Sequence, residues 1–557
     1  MNDRHLHFWP KRLATSLTVP KTTLYDNLEV TARRYPDKTA IFYYGTEIRY
    51  QRLLDEVNQL AGFLQRAGTA KGDRILLYMQ NSPQFVIAFH AILRTGAVVV
   101  PINPMNKTHE LEGYAENCEP KLAIVGQELM PQITPIIEKT TLEHVVVAAY
   151  SDYLETDAGI KTPDVVQAPQ EIFNVNHVTL WMKALSEAEK LDAPELSSED
   201  TAVLPYTSGT TGTPKGCIHT HETVQANVVG IVYWSGVTPD SVSLTALPLF
   251  HVTGMVHSML GSIFSGGSMV LMTRWDRDTA AELIDRCGCT HWTNIATMVV
   301  DFLANPTLSD YNLETLGSIG GGGAPLPEAV GEKLFELTGV RYAEGYGLSE
   351  TISQTHFNPP DRPKLQCMGV PSFDVDSRVI NPDTLEECGP NEEGEVVVNG
   401  PQVFKGYWGR PEETEKSFIS LDDKVFFRTG DIAKYDEEGY YFMVDRVKRM
   451  INASGFKVWP TEVESILYKH PAVEQACVIG VPDERRGETA KAFIILNEKD
   501  RGSVSEDDII GWSKEQMAAY KYPRHVEFVE ELPVSGSGKI LWRKLQEREM
   551  EKAKGGA

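Results

Sequence analysis

The chain has 557 residues and carries 77 acidic against 53 basic side chains, a formal net charge of −24. So acidic a surface repels nucleic-acid phosphates and anionic lipid headgroups, which argues against a nucleic-acid partner and a polybasic membrane anchor. Length alone implies two to four structural units, because one core rarely grows past about 250–300 residues. The seven cysteines are odd in number and scattered. That suits reduced thiols in a cytoplasmic protein better than a disulfide framework. Cys287 and Cys289 form the one close pair; without a second pair at zinc spacing they read as helix-end packing. The first seventeen residues lack an apolar core of signal-peptide length. No apolar run reaches the roughly 18 residues a membrane span needs, and the charged C-terminus carries no lipidation box.

In chain order, Arg74–Met79 is a short apolar run. Asn81, Ser82 and Pro83 then form a helix start, and the amphipathic stretch from Phe85 stops at Gly96. Another apolar run, Ala97–Pro104, follows. Strand, helix and strand with short links predict a parallel sheet. The pattern recurs at Lys121–Gly126 and His144–Tyr150. Residues Ser151–Asp200, with scattered prolines and acids, read as a connecting stretch. From Val375 short alternating segments and Gly-rich turns predict an antiparallel, barrel-like subdomain. After Arg446 a smaller α+β unit of about 100 residues is expected: a helix from Trp459, strands from Val473 and Lys491, a helix from Ser505, and a final segment through Leu545.

Tyr206–Gly216 (YTSGTTGTPKG) is the most informative segment. It follows an apolar strand and precedes a helical pattern. Its glycines let backbone N–H groups turn toward an anion, its hydroxyls add donors, and Lys215 adds a full charge. The predicted role is to hold a polyphosphate. The spacing is not that of a Walker loop. Ser318–Pro327 contains four consecutive glycines, a backbone suited to close approach by a flat ring. His251 sits in an apolar loop, where a histidine alone is most often a packed core residue. Glu350 is a hard oxygen donor suited to magnesium. Asp431, in a tight turn after a strand, has the geometry to accept two ribose hydroxyls.

YTSGTTGTPKG closely resembles the phosphate-loop signature of the adenylate-forming enzymes: acyl-CoA synthetases, peptide-synthetase adenylation domains and beetle luciferases. Further motifs of that family follow in order to about residue 545. The resemblance implies a large N-terminal adenylation domain (1–445) of parallel sheets with helices and a small β-barrel-like part. It also implies a hinge at 446–448 centred on Lys448 and a mobile C-terminal α+β domain (449–557). It assigns ATP/AMP contacts to Thr207, Ser208, Gly209, Thr210, Thr211 and Lys215. Gly323, Ala324 and Pro325 would border the adenine, with Glu344, Gly345 and Tyr346 beside it and Tyr346 stacking. Ser349, where threonine is commoner, would reach the α-phosphate. Glu350 would hold Mg²⁺, and Asp431, Arg446 and Lys457 would complete the nucleotide contacts. Ser454, Gly455 and Phe456 would line the CoA pantetheine path. Lys539 would stabilise the charge that develops at the α-phosphate.

The family function is acid activation in two steps, acyl-adenylate formation from ATP and transfer to a thiol, with one mobile domain presenting Lys539 first and Gly455 second. CoA is the expected thiol, since no carrier domain follows Lys539. A peptide-synthetase module, an oxidative luciferase and a non-catalytic acyl-nucleotide binder share the motifs. Tyr233, Trp234, His251, Met255, Asn294, Met298 and Gly322 are the expected acyl-pocket residues, His251 positioning the carboxylate, with the glycine run leaving room for a chain. Ser454–Glu464 resembles fatty-acyl ligases, so a medium- or long-chain fatty acid is expected, with a short, branched or substituted acid as the alternative. Many relatives dimerise, so a homodimer is a further expectation.

Overall fold

The structure is a computed structural model that describes residues 3–137, 139–155, 158–173, 175, 177–207, 214–446, 449–453, 456–483, 487–534 and 540–555. The chain separates into two compact units. One comprises Asp3–Asp376 and Val398–Phe427; the other comprises Ser377–Val397 and Arg428 onward. The second unit therefore takes in much of the barrel-like stretch before residue 446. Val447 and Lys448, the expected hinge, lie outside the described residues.

The first unit holds two large sheets. In the seven-stranded sheet, Arg74–Tyr78 lies between Val98–Ile102 and Leu122–Gly126, all parallel, with His144–Ala148 beyond. Each strand is apolar along its length because helices cover the sheet. The predicted helix start is present: Ser82 Oγ accepts the Phe85 N–H (3.2 Å), and Pro83 opens the helix Pro83–Arg94. The expected connecting stretch does more than connect. Val178–Leu180 adds a parallel edge strand, three residues too short to show periodicity. Cys287 ends the helix Arg277–Cys287 and Cys289 is buried just beyond it; all seven cysteines are free.

The nine-stranded sheet carries the glycine run. Ser318–Gly322 lies between His291–Asn294 and Ala343–Leu348, parallel to both. Ser353–Phe357 then turns back antiparallel to Ala343–Leu348.

In the second unit, Lys424–Tyr435 (which begins in the first) pairs antiparallel with Tyr441–Arg446. The predicted α+β part follows: helix Pro460–Leu467, strands Val473–Asp483 and Gly487–Leu496, helix Glu506–Gln516 and strand His525–Phe528. Ser505 and Asp508 close a capping box at the second helix. Both faces of this sheet are apolar, one packing Val478, Ala492 and Ile494 and the other Cys477, Phe493 and Leu545. Among the described residues, no helix is long and apolar enough to cross a membrane.

Candidate active site

The phosphate-loop segment is a hairpin. Tyr206 and Thr207 pair with Gly216 and Lys215. Ser208, Gly209, Thr210 and Thr211 lie outside the described residues. The strand leaving the hairpin pairs with residues 405–408 through Trp408 N–H to Gly216 O (2.8 Å), Ile218 N–H to Gly406 O (3.0 Å) and Lys405 N–H to Ile218 O (2.9 Å). Two residues absent from the sequence-based set thereby reach Lys215. Its ammonium contacts the Glu413 carboxylate and sits 5.0 Å from the centroid of the Tyr407 ring. The Lys215 hydrogen bond holds the Glu413 carboxyl below its usual range. Tyr407 donates its hydroxyl to Glu350 Oε1 (2.9 Å), and burial, then the Glu350 charge, raises the phenol pKa. Lys215, Tyr407, Glu413 and Glu350 thus form one chain of contacts. Its sequence signal is two aromatics and paired acids in a segment punctuated by Gly406 and Gly409.

Glu350 lies in a short 3₁₀ turn, Ser349–Thr351. The next two residues have left-handed backbones, Ile352 at φ 42° and Ser353 at φ 94°. A β-branched residue there is strained, at roughly 1–3 kcal/mol, and persists only where its surroundings impose it. Here the imposing bonds are explicit. Phe404 N–H meets Glu350 O (2.8 Å), Asn227 Nδ2 donates to Thr351 O (2.8 Å) and Ile352 O (2.9 Å), and His219 Nε2 lies 2.7 Å from Ser349 O.

The glycine run has a different structural reason from the expected one. A Cβ at Gly320, Gly321 or Gly322 would collide with the carbonyl oxygen of Ala343, Asn294 or Gly345 on the flanking strands. The missing side chains let three strands lie close, and the space they leave is already filled by backbone. They do not open room for an acyl chain. Gly323, at φ 87°, turns the chain out of the sheet, and Gly323, Ala324 and Pro325 are exposed. Glu344 secures this rim. Its buried Oε1 accepts the N–H groups of Leu326 (3.3 Å) and Gln366 (2.8 Å), and burial raises the carboxyl pKa to about 7. Gly345 and Tyr346 follow on the same strand; the Tyr346 ring stands edge-on to His356 at 5.7 Å.

The expected acyl-pocket residues divide. Met255 and Asn294 are fully buried and Met298 nearly so; Met255 N–H bonds to His251 O (3.0 Å). Asn294 Oδ1 accepts the Tyr342 hydroxyl (3.0 Å). His251 is partly buried just before a π-helical stretch, Gly254–Leu260, a geometry common at functional sites. Tyr233 departs from expectation: it is 52% exposed, so its side chain is not in a buried tunnel. Trp234, the next residue on the helix His221–Ser235, faces inward and is held by aromatic neighbours. Its Nε1 donates to Asn358 O (2.9 Å), and its ring packs against Trp9, Phe357 and Phe373.

In the second unit, Asp431 stands opposite Arg446 in the antiparallel pair, so two expected nucleotide residues are cross-strand neighbours. Asp431 is buried, and its N–H bonds to Thr429 Oγ1 (3.1 Å). Across the expected hinge, Asp445 Oδ2 accepts the Thr461 N–H (2.8 Å), and beyond it Arg449 Nη2 donates to Glu464 Oε1 (2.5 Å) and Val478 O (3.0 Å). Ser454 and Gly455 lie outside the described residues, but the strands Ile451–Ala453 and Phe456–Val458 that flank them pair, setting Lys457 opposite Asn452. Lys539 also lies outside them. On either side of it in the chain, Val534 and Ile540 form an antiparallel bridge, with Leu541 N–H to Pro533 O (2.7 Å).

Residues 28–408 match the family described as AMP-binding enzyme, and residues 462–539 match the AMP-binding enzyme C-terminal domain. The chain belongs to the AMP-binding enzyme family. It is 36% identical over 552 residues to a long-chain-fatty-acid–CoA ligase of Bacillus subtilis (strain 168), covering 98% of this chain and 97% of that one. It is 32% identical to a feruloyl-CoA synthase of Amycolatopsis sp., covering 93% and 97%. Its fold matches the crystal structure of an anthranilate CoA ligase in complex with anthranoyl-AMP, with a TM-score of 0.82 at 28% identity, covering 96% and 98%. This AMP-binding enzyme thus has the adenylate-forming fold expected from its motifs, a large α/β part and a small C-terminal α+β part.

Proposed function

We propose that this chain is an ATP-dependent acid–CoA ligase that works through an acyl-adenylate, with a medium- or long-chain fatty acid as acyl donor. The observation that carries this reading is the contact chain Lys215–Tyr407–Glu350 beside the strained Ser349–Ser353 turn, in a chain similar end to end to a fatty-acid–CoA ligase. A bare carboxylate is a poor acyl donor. In the first step its oxygen forms a bond to the α-phosphorus of ATP, and the bond to the bridging oxygen breaks, releasing pyrophosphate. Lys215 and the loop hydroxyls hold the polyphosphate, and Ser349 donates to the α-phosphate. Lys539 neutralises the charge that grows on the pentavalent phosphorus. In the second step the CoA thiolate attacks the acyl carbonyl and AMP leaves.

Magnesium suits this site as an ion carried in with the nucleotide. Among the described residues no group of three or more His, Cys, Asp or Glu side chains forms a cage, whereas Glu350 offers one carboxylate beside the phosphate-binding lysine. One protein carboxylate plus phosphate oxygens is an ordinary magnesium set, and the ion would supply charge neutralisation on the phosphates.

The hinge at 446–448 gives the C-terminal domain two working positions, one presenting Lys539 and one presenting Gly455 to the pantetheine. Support for a fatty substrate comes from the identity to the Bacillus ligase. The similarity to a feruloyl-CoA synthase supports the second reading, a substituted aromatic acid. Seven free cysteines suit a cytoplasmic setting. A homodimer rests on the family resemblance alone. The deciding measurement is kcat/KM for thioester formation across saturated acids of two to eighteen carbons and a set of aromatic acids. A maximum beyond about eight carbons carries the reading, and a maximum on an aromatic acid replaces it.

A further inference from the structure

The turn that carries Ser349 and Glu350 holds itself only in part: Ile352 N–H bonds back to Ser349 O (3.1 Å), Leu348 N–H to Thr351 Oγ1 (3.0 Å), and Thr351 Oγ1 donates to Ser353 O (2.7 Å). It runs directly into two left-handed residues, Ile352 and Ser353. External hydrogen bonds to Ser349 O, Glu350 O, Thr351 O and Ile352 O supply the rest. One of those bonds comes from an unexpected place. His219 lies four residues past Lys215, on the short strand His219–Thr220 that leaves the phosphate hairpin and pairs with Thr201–Val203. Its side chain is fully buried. Nε2 lies 2.7 Å from Ser349 O, and Nδ1 lies 3.2 Å from Thr223 Oγ1. A carbonyl oxygen only accepts, so Nε2 carries the proton and donates, which leaves Nδ1 to accept from the Thr223 hydroxyl. Thr223 also lies on Thr220 O (3.0 Å), so its single proton is shared between two acceptors. The ring has one orientation that satisfies both nitrogens. Burial holds the imidazole pKa at about 4, so the ring stays neutral across ordinary assay conditions. His221, two residues on, accepts the Leu24 N–H (3.1 Å) and plays a packing part instead.

We infer that His219 is a positioning residue for adenylation: through its hydrogen bond to the Ser349 carbonyl it fixes the Ser349–Glu350 turn relative to the strand that leaves the phosphate loop. The inference rests on the proposed roles of Lys215, Ser349 and Glu350. Its logic is mechanical. Lys215 and His219 stand on one continuous segment, Lys215–Thr220, whose carbonyls and amides are pinned at Gly216 and Ile218 by residues 405–408. Ser349 and Glu350 belong to the other wall. His219 spans the two at Ser349, as Tyr407 spans them at the Glu350 carboxylate. A phosphate chain held between two walls needs their spacing set before it arrives, because a misplacement of about 1 Å costs rate steeply.

The test compares His219→Leu, which keeps bulk and removes both polar atoms, with His219→Gln, whose amide nitrogen reaches the Nε2 position. Four quantities are measured: ATP–pyrophosphate exchange at varied ATP, thioester formation from supplied acyl-adenylate and CoA, AMP affinity by calorimetry, and the thermal unfolding midpoint. His219→Leu is expected to raise KM for ATP about tenfold and to weaken AMP binding by a similar factor, the loss of one well-placed hydrogen bond. It is expected to leave thioester formation within about twofold. His219→Gln is expected to recover most of the loss. Unchanged exchange and AMP affinity in His219→Leu overturns the inference. So does an equal fall in both half-reactions that His219→Gln does not repair, since that marks general damage to the fold. Should His219→Leu fail to fold, Thr223→Val decides: it frees the ring at Nδ1 and is expected to raise KM for ATP about threefold, and no change refutes the role. If the wild-type chain exchanges pyrophosphate with no acid tried, the functional reading fails, while the AMP affinities still judge His219 separately.

Discussion

Glu344 permits a prediction with a worked magnitude. Its carboxyl is buried, accepts the backbone N–H groups of Leu326 and Gln366 beside the exposed Gly323–Pro325 rim, and has a pKa raised to about 7 by burial, against an ordinary 4.5. Between those two values the unfolded chain has released this proton and the folded chain keeps it. The folded state therefore binds more protons, so stability falls as pH rises from about 4.5 to 7, and levels off above. The gap corresponds to about 3 kcal/mol of stability withheld at neutral and higher pH. Glu344→Gln keeps an acceptor oxygen for Leu326 and Gln366 and removes the titration. Thermal midpoints of wild type and variant, measured side by side from pH 5 to 8, isolate this group because the other carboxylates cancel in the difference. The variant is expected to gain on the wild type up to about pH 7 and to hold that gain above it, about 2–3 °C for a chain of this size. A difference that stays constant, or one that shrinks with pH, refutes the assignment of a protonated buried carboxyl.

Three further outcomes are expected. Lys215→Met should reduce ATP–pyrophosphate exchange by about 10²–10³-fold, the cost of losing one preorganised charge at a reacting phosphate; exchange within tenfold of wild type would contradict its role. Lys539→Ala should abolish acyl-adenylate formation yet retain most thioester formation from supplied acyl-adenylate, and equal loss of both half-reactions removes the two-position account. Gly321→Ala pushes a methyl into the Asn294 carbonyl, so it should lower stability by about 1–3 kcal/mol in urea unfolding without shortening the preferred acyl chain. A shift of chain-length preference at unchanged stability would restore the glycines to the tunnel wall.

Much of the architecture was legible because it rests on local rules. The βαβ units announce themselves in continuous apolar strands, and Ser82–Pro83 marks a helix start by capping chemistry that needs no tertiary context. The Tyr206–Gly216 segment stood out equally for its glycine, hydroxyl and lysine density, though nothing in that composition announced the pairing of its ends as a hairpin. What escaped was decided by partners distant in sequence. Glu413 and Tyr407 reach Lys215 only because residues 405–408 pair with the strand leaving the hairpin. The glycine run looked like space, and only the flanking strands show that backbone fills it. Tyr233 and Trp234 are adjacent in sequence, and helix geometry turned one outward and one inward. His219 carries no signature at all, because a histidine in an apolar stretch is ordinary until its acceptor is known.

The contact between Lys215 and Glu413 has a consequence for how the enzyme meets its nucleotide. The lysine is not a bare cation waiting for phosphate; it already has an anion of the protein's own. With Lys215 in its proposed role, nucleotide entry is an exchange of one counter-charge for another. Salt screens the outgoing pair as well as the incoming one, so nucleotide affinity should depend on ionic strength less steeply than a count of phosphate charges suggests. The same arrangement makes the empty site less attractive to stray anions: a single sulfate or inorganic phosphate offers too little to displace Glu413, and a triphosphate gripped along its length offers enough.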